Sequence, residues 1–194
     1  MLPNGPLAPA IGQLRGKLST MTSAHDDPAC DVAHGAAPAQ RGDRVLVAVF
    51  ASPVADFLLR YGADAGYRSV LVEPDQDLAQ AARQNGAAVE SSVAACPDGA
   101  ADVVVTDHQR AELGAMLADA LASQARWVGI MGNPRHPAPH IPALTALGVP
   151  AERIRQVHRP IGLNIGSRTP AEIAIATLAG LIASRNGKPG GFTF

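Results

Sequence analysis

Arg44-Val45-Leu46-Val47-Ala48-Val49-Phe50-Ala51-Ser52-Pro53-Val54-Ala55-Asp56-Phe57-Leu58-Leu59-Arg60-Tyr61 is the stretch that decides the fold. Its first seven residues are a nearly unbroken apolar run, the pattern of a strand buried on both faces. Pro53 suits the first turn of a helix, where a missing N–H costs nothing. Val54, Phe57, Leu58 and Tyr61 then recur at helical spacing on one face. A buried strand, a tight turn and an amphipathic helix make half of a β-α-β unit.

The same alternation continues downstream. Residues 68–72 (Arg-Ser-Val-Leu-Val) read as a second strand, closed by Glu73-Pro74. Asp75 or Asp77 opens a short helix that runs to Asn85-Gly86, and residues 87–93 form a weak third strand. Residues 102–106 (Asp-Val-Val-Val-Thr) are a fourth strand. A helix follows over 109–123, with Leu113, Leu117 and Leu121 on one stripe. Residues 126–131 (Arg-Trp-Val-Gly-Ile-Met) are a fifth strand. The proline-rich segment 132–142 is irregular. Residues 141–147 form a short helix ending at Gly148, and 151–156 form a turn or helix. Thr169-Pro170-Ala171-Glu172 matches a capping box and starts a helix that reaches about Arg185. Buried strands alternating with helices predict a doubly wound α/β domain, Rossmann-like, with about five mainly parallel strands. The domain spans 44–187. Residues 1–43, rich in Pro, Gly, Ala, Ser and Asp, read as a disordered tail with at most a helical turn around Leu14 and Leu18, and Met21 is an alternative start. Residues 188–194 read as a frayed C-terminus.

Composition narrows the function. The 194 residues carry 16 basic and 17 acidic side chains, so no global charge steers the chain to nucleic acid or an anionic membrane. Seven aromatic residues are too few for a base-stacking platform. The longest apolar stretches fall short of the ~20 residues that cross a bilayer, and no secretory signal is visible. The expected location is the cytoplasm. Cys30 and Cys96 have no metal spacing, and Cys96 reads as an unreactive thiol. His136 and His140 are four apart but lack a helix to align them, so no metal site is expected.

The frame invites a dinucleotide, yet the fingerprint glycines are missing. Phe50 and Ser52 stand in the first two glycine positions, with Ala55 as the third small residue. A Ser side chain crowds the pyrophosphate path, and Pro53 removes a helix N–H donor, so NAD(P) is not expected here. Glu73, at the usual ribose-acid position, reads as a solvated strand end. Ligands of such sheets sit beyond the C-terminal strand ends. Three loops should gather there. The first carries Asp107 and His108 after the fourth strand, and the second carries Gly132, Asn133 and Arg135 after the fifth. The third, carrying Gly162, Asn164, Gly166, Ser167 and Arg168, leads into the last helix. In that third loop, glycines, helix-start N–H groups and Arg168 suit a phosphate or similar anion, with Thr169 engaged as the cap and Arg135 as a second clamp.

The run from Val157 to Ala174, Val-His-Arg-Pro-Ile-Gly-Leu-Asn-Ile-Gly-Ser-Arg-Thr-Pro-Ala-Glu-Ile-Ala, resembles the C-terminal motif of the xanthine dehydrogenase accessory protein family, XdhC/CoxI. Val103-Val104-Val105-Thr106-Asp107-His108 and Val128-Gly129-Ile130-Met131-Gly132-Asn133-Pro134-Arg135 are similar to two further family segments. The resemblance covers roughly residues 44–185, with Asn164 in place of the usual Asp and Pro134 in place of an Arg. It implies an accessory factor that binds molybdenum cofactor (molybdopterin) and helps deliver it to a molybdenum hydroxylase of the xanthine or carbon monoxide dehydrogenase type. On this reading the chain is a chaperone rather than a catalyst. Its partners are the apoenzyme, a companion maturation protein or a second copy of itself. The alternatives are an NAD(P)-dependent oxidoreductase and a non-binding partner subunit.

Overall fold

The computed structural model describes residues 28–35, 44–96, 101–133 and 135–191. The chain divides into two units, 1–40 and 41–194. Within the first, Pro28–Ala33 forms a six-residue helix, α1. Leu14, Leu18 and Met21 lie outside the described residues.

The second unit alternates strand and helix in the expected order: β1 (Val45–Val49), α2 (Pro53–Asp64), β2 (Arg68–Val72), α3 (Gln76–Gln84), β3 (Val89–Glu90), β4 (Asp102–Val105), α4 (Leu113–Ala122), β5 (Trp127–Ile130), α5 (His140–Ala146), α6 (Ala151–Ile154) and α7 (Pro170–Arg185). The five strands are all parallel, in the order β3-β2-β1-β4-β5. β1 lies at the centre, and every one of its residues is buried. Val45, Val47 and Val49 face a core closed by Leu117 and Leu121 of α4 and Leu144 of α5. Leu46 faces the opposite core, with Leu58 of α2 and Ala174, Leu178 and Leu181 of α7. Burial on both faces explains the absence of polar alternation in the strands.

Three local expectations shift. The third strand shrinks to two residues, because Asp119 of α4 accepts the N–H groups of Val93 and Ala94 (2.8 and 3.2 Å) and turns that segment into a short 3-10 helix. The fourth helix starts at Leu113 rather than 109, because Asp107 Oδ1 accepts the Gln109 N–H (2.8 Å) and makes a turn there. The short helix after the proline-rich segment, α5, begins at His140, one residue before the expected start at 141. α7 runs over the expected span, and Lys188 N–H still donates to Ala183 O at 2.9 Å beyond its end.

Two further features position the site. At the N-terminal end of the sheet, buried Asp102 accepts from Arg126 of the β5 approach (2.9 and 2.5 Å) and from Arg185 of α7 (2.7 Å). On the outer side of β5, the chain returns and bridges Gly129 through His158, whose ring stacks on Trp127 at 4.8 Å and 9°. Gly129 is obligatory there, because a Cβ would collide with the Trp127 ring and with Ile161. That return delivers residues 159–169 to the C-terminal end of β5. Among the described residues no helix is long and apolar enough to cross a membrane.

Candidate functional site

The crevice between the ends of β1 and β4 is where a Rossmann sheet takes its nucleotide. Here the chain's own side chains fill it. Phe50 has φ 74°, the left-handed region that glycine enters freely, and its side chain is fully buried. Position 50 thus keeps the backbone of a fingerprint glycine while supplying a ring. Ser52 caps α2, its Oγ accepting the Ala55 N–H at 3.1 Å and donating to Thr106 Oγ1 at 3.0 Å. Thr106 Oγ1 in turn donates to Phe50 O (2.8 Å). This hydroxyl pair ties the two strand ends together.

Glu73 is not a solvated strand end: it is 1% exposed. Its Oε2 accepts from Ala51 N (2.7 Å) and Arg110 Nη1 (3.2 Å), and its Oε1 from Asp75 N (2.9 Å) and Arg110 Nη2 (3.0 Å). The guanidinium lies 4.7 Å over the Phe50 ring. Hydrogen bonding to Glu73 raises the Arg110 pKa further above its usual value. A bidentate pair and two backbone donors overcome the desolvation of this carboxylate. Arg110 was invisible to sequence reasoning, being 37 residues from its partner and in no recognised motif.

One strand over, the fold leaves a cleft of about 710 Å³. Its walls are the turn after β5 (Gly132, Asn133, Arg135), the loop 160–167, and Ile173, Ala176 and Thr177 of α7. Gly162 makes the loop's close approach to α7 possible. It has φ 82°, and a Cβ would stand 3.0 Å from the backbone of Ala176 and Thr177. Leu163 N–H donates to Ala176 O at 3.0 Å. The cleft gathers Gly132, Asn133, Arg135, Gly162, Asn164, Gly166 and Ser167 of the sequence-derived set. Arg168 is exposed and not among the lining residues, and Asp107 and His108 lie half-buried at the end of β4, also outside the lining.

The start of α7 differs from an open anion seat. The capping box forms, with Thr169 Oγ1 accepting the Glu172 N–H at 3.3 Å. The Glu172 carboxylate takes the N–H groups of Arg168 (2.7 Å) and Thr169 (3.1 Å), and those bonds lower its pKa. Three donors at the helix start, the N–H groups of Arg168, Thr169 and Glu172, are therefore held by the chain itself. The cleft's cationic group is Arg135, whose backbone N–H is fixed by Asn133 Oδ1 at 2.9 Å.

Other candidates resolve simply. Among the described residues no three His, Cys, Asp or Glu side chains cluster to hold a metal. Burial pushes the Cys96 thiol up to about 11, and it donates to Ser92 O. Burial, and then Arg159, lowers the His140 pKa, so this imidazole is neutral near pH 7.

Comparison with known proteins agrees with this fold. YqeB, an uncharacterized protein of Escherichia coli K12, is 34% identical over 106 residues, 55% of this chain and 19% of YqeB. A Bacillus halodurans protein, whose crystal structure is described as that of a xanthine dehydrogenase, is similar at a TM-score of 0.59 and 20% identity. That similarity covers 75% of this chain and 45% of the other, and at such identity it is a likeness of fold. The chain thus spans about a fifth of the first relative and under half of the second. The XdhC Rossmann domain model matches residues 46–181, which take in every strand but the first residue of β1, and the chain belongs to the XdhC Rossmann-domain family.

Proposed function

We propose that this chain is an accessory factor in the maturation of a molybdenum hydroxylase of the xanthine or carbon monoxide dehydrogenase type, and that its cleft receives the molybdenum cofactor. The observation that carries the reading is the chemistry of the cleft wall. The described lining offers carboxamides (Asn133, Asn164), hydroxyls (Ser167, Thr177), one guanidinium (Arg135) and apolar faces (Ile161, Leu163, Ile173), with no carboxylate, imidazole or thiol. Such a wall can hold a planar heterocycle with an anionic tail, and it lacks the paired titratable groups of acid–base catalysis. Arg135 and Ser167 would face the phosphate, and the two carboxamides the pterin edges. The cofactor itself supplies the redox centre of the recipient enzyme. Family membership and the fold relative described as a xanthine dehydrogenase support the same class.

A nicotinamide oxidoreductase fits less well, because Phe50, Ser52, Glu73 and Arg110 fill the crevice a dinucleotide would need. A non-binding partner subunit has one observation in its favour, a patch of Tyr61, Ile175, Leu178, Ala179 and Ile182 on α2 and α7, with Ile175 50% exposed. The test is native mass spectrometry of the protein with molybdenum cofactor, NAD(H) and NADP(H). Retention of molybdenum cofactor is expected, weakened about ten-fold or more by Arg135→Ala, the loss of one charge-assisted hydrogen bond. Retention of a dinucleotide with a Kd of about 1 μM or tighter, ~−8 kcal/mol, refutes the reading. A chain that retains neither, but captures the hydroxylase or a companion maturation protein, is a partner subunit only.

A further inference from the structure

Arg159 sits near the start of the long C-terminal motif and is not a lining residue of the cleft. Its Nη2 nevertheless donates to three carbonyls of the turn after β5: Asn133 O (2.8 Å), Pro137 O (3.1 Å) and His136 O (3.2 Å). Asn133 and Arg135, which do line the cleft, belong to that turn. Gly132, at the root of the turn, has no side chain for a steric reason. A Cβ would stand 2.6 Å from Arg159 Nε and 3.0 Å from its Nη2. The Nε itself is buried and has no hydrogen-bond partner among the described residues. A guanidinium so packed, with one nitrogen shared by three carbonyls, sets the shape of a turn rather than pairing with an acid. The turn has few other ties, the Asn133 side chain to Arg135 N and the His136 N–H to Asn133 O being local.

We infer that Arg159 is the positioning residue of the cleft: it clasps the turn after β5 from beneath, through the space that Gly132 leaves, and so holds Asn133 and Arg135 towards a bound ligand. Gly132 and Arg159 act as one unit, because a side chain at 132 expels the guanidinium as surely as its removal. The inference deepens the cofactor reading and rests on it for the identity of the ligand. The clasp itself does not depend on that reading.

The test has two arms. In the first, backbone amide exchange is measured on the full chain without ligand, for wild type, Arg159→Ala, Arg159→Lys, Gly132→Ala and Arg135→Ala. The hydrogen-bonded amides of Arg135 and His136 are expected to exchange at least ten-fold faster in the first three variants and unchanged in Arg135→Ala, while β1 and β4 stay protected in all. Lys keeps the charge but is one bond too short to reach the three carbonyls. In the second arm, binding of the fluorescent anionic pterin pterin-6-carboxylate is followed by anisotropy. Arg159→Ala and Arg159→Lys are expected to lose affinity about as far as Arg135→Ala does, and Gly132→Ala combined with Arg159→Ala no further. Wild-type exchange in Arg159→Ala overturns the clasp. Wild-type affinity in Arg159→Lys reduces Arg159 to a diffuse positive charge and also overturns it. If wild type does not bind the pterin, the cofactor reading fails while the exchange arm still decides the clasp. If Gly132→Ala and Arg159→Ala both unfold, protection of the Arg135 and His136 amides in Arg159→Lys relative to wild type gives the answer.

Discussion

At the scale of single residues, the crevice between β1 and β4 is governed by Glu73. Four donors meet its two oxygens, and two of them are on Arg110. Removing Arg110 leaves a buried carboxylate with backbone partners alone, so Arg110→Ala should destabilise the protein by about 3–5 kcal/mol. Glu73→Gln added to Arg110→Ala should recover part of that loss, since no uncompensated charge remains. Urea unfolding of the two variants and the double checks this, and additive losses would show that the two side chains do not act as a pair. The sequence made position 73 conspicuous but not its burial. A strand-end acid reads as solvated unless the partner is known, and that partner comes from the loop between β4 and α4. The opposite holds for Phe50. The missing glycine was legible, and the structure adds that the backbone remained in the glycine conformation.

At the scale of elements, the loop 160–167 and the start of α7 carry two separable effects. Gly162 combines φ 82° with backbone contact at 3.0 Å, whereas Gly166 combines φ 72° with open space. Gly166→Ala should therefore cost only the left-handed strain, about 1–2 kcal/mol. Gly162→Ala should cost that and the overpacking against α7, about 2–5 kcal/mol in all. Equal losses in thermal unfolding would mean that the loop does not rest on the helix as described. The capping box gives a pH signature. Hydrogen bonds from Arg168 and Thr169 lower the pKa of Glu172 below its unfolded value. A depressed carboxylate pKa contributes stability that is full above the ordinary value, about 4.3, and is lost as pH falls through the lowered one. Glu172→Ala should therefore be less stable than wild type at pH 7, the difference closing on acidification below about pH 4. Thr169→Ala, which removes the hydroxyl cap, should cost about 1 kcal/mol at pH 7. The box itself was readable from Thr169-Pro170-Ala171-Glu172. Its consequence was not, because the same carboxylate reaches one residue past the cap and takes the Arg168 N–H.

At the scale of the whole molecule, apolar runs and helical stripes were enough to find five parallel strands along the chain, because β1 and β4 are buried throughout and α2 and α3 follow short turns. The side on which the chain returns after α6 was not readable. It depends on Gly129 admitting the Trp127 ring and on His158 extending the sheet edge, contacts with no sequence period. That return is what moves the open space away from the nucleotide crevice to the end of β5. The ionic cluster at the opposite end of the sheet has its own bearing on how the protein comes apart. Asp102 opens β4, Arg126 leads into β5 and Arg185 closes α7, so one carboxylate joins β4, the edge strand β5 and the last helix. Detaching α7 would take from buried Asp102 one of its two guanidinium partners, so the final helix should not peel off as a cheap sub-global opening. A protease should therefore find no nicking site in α7 short of global unfolding.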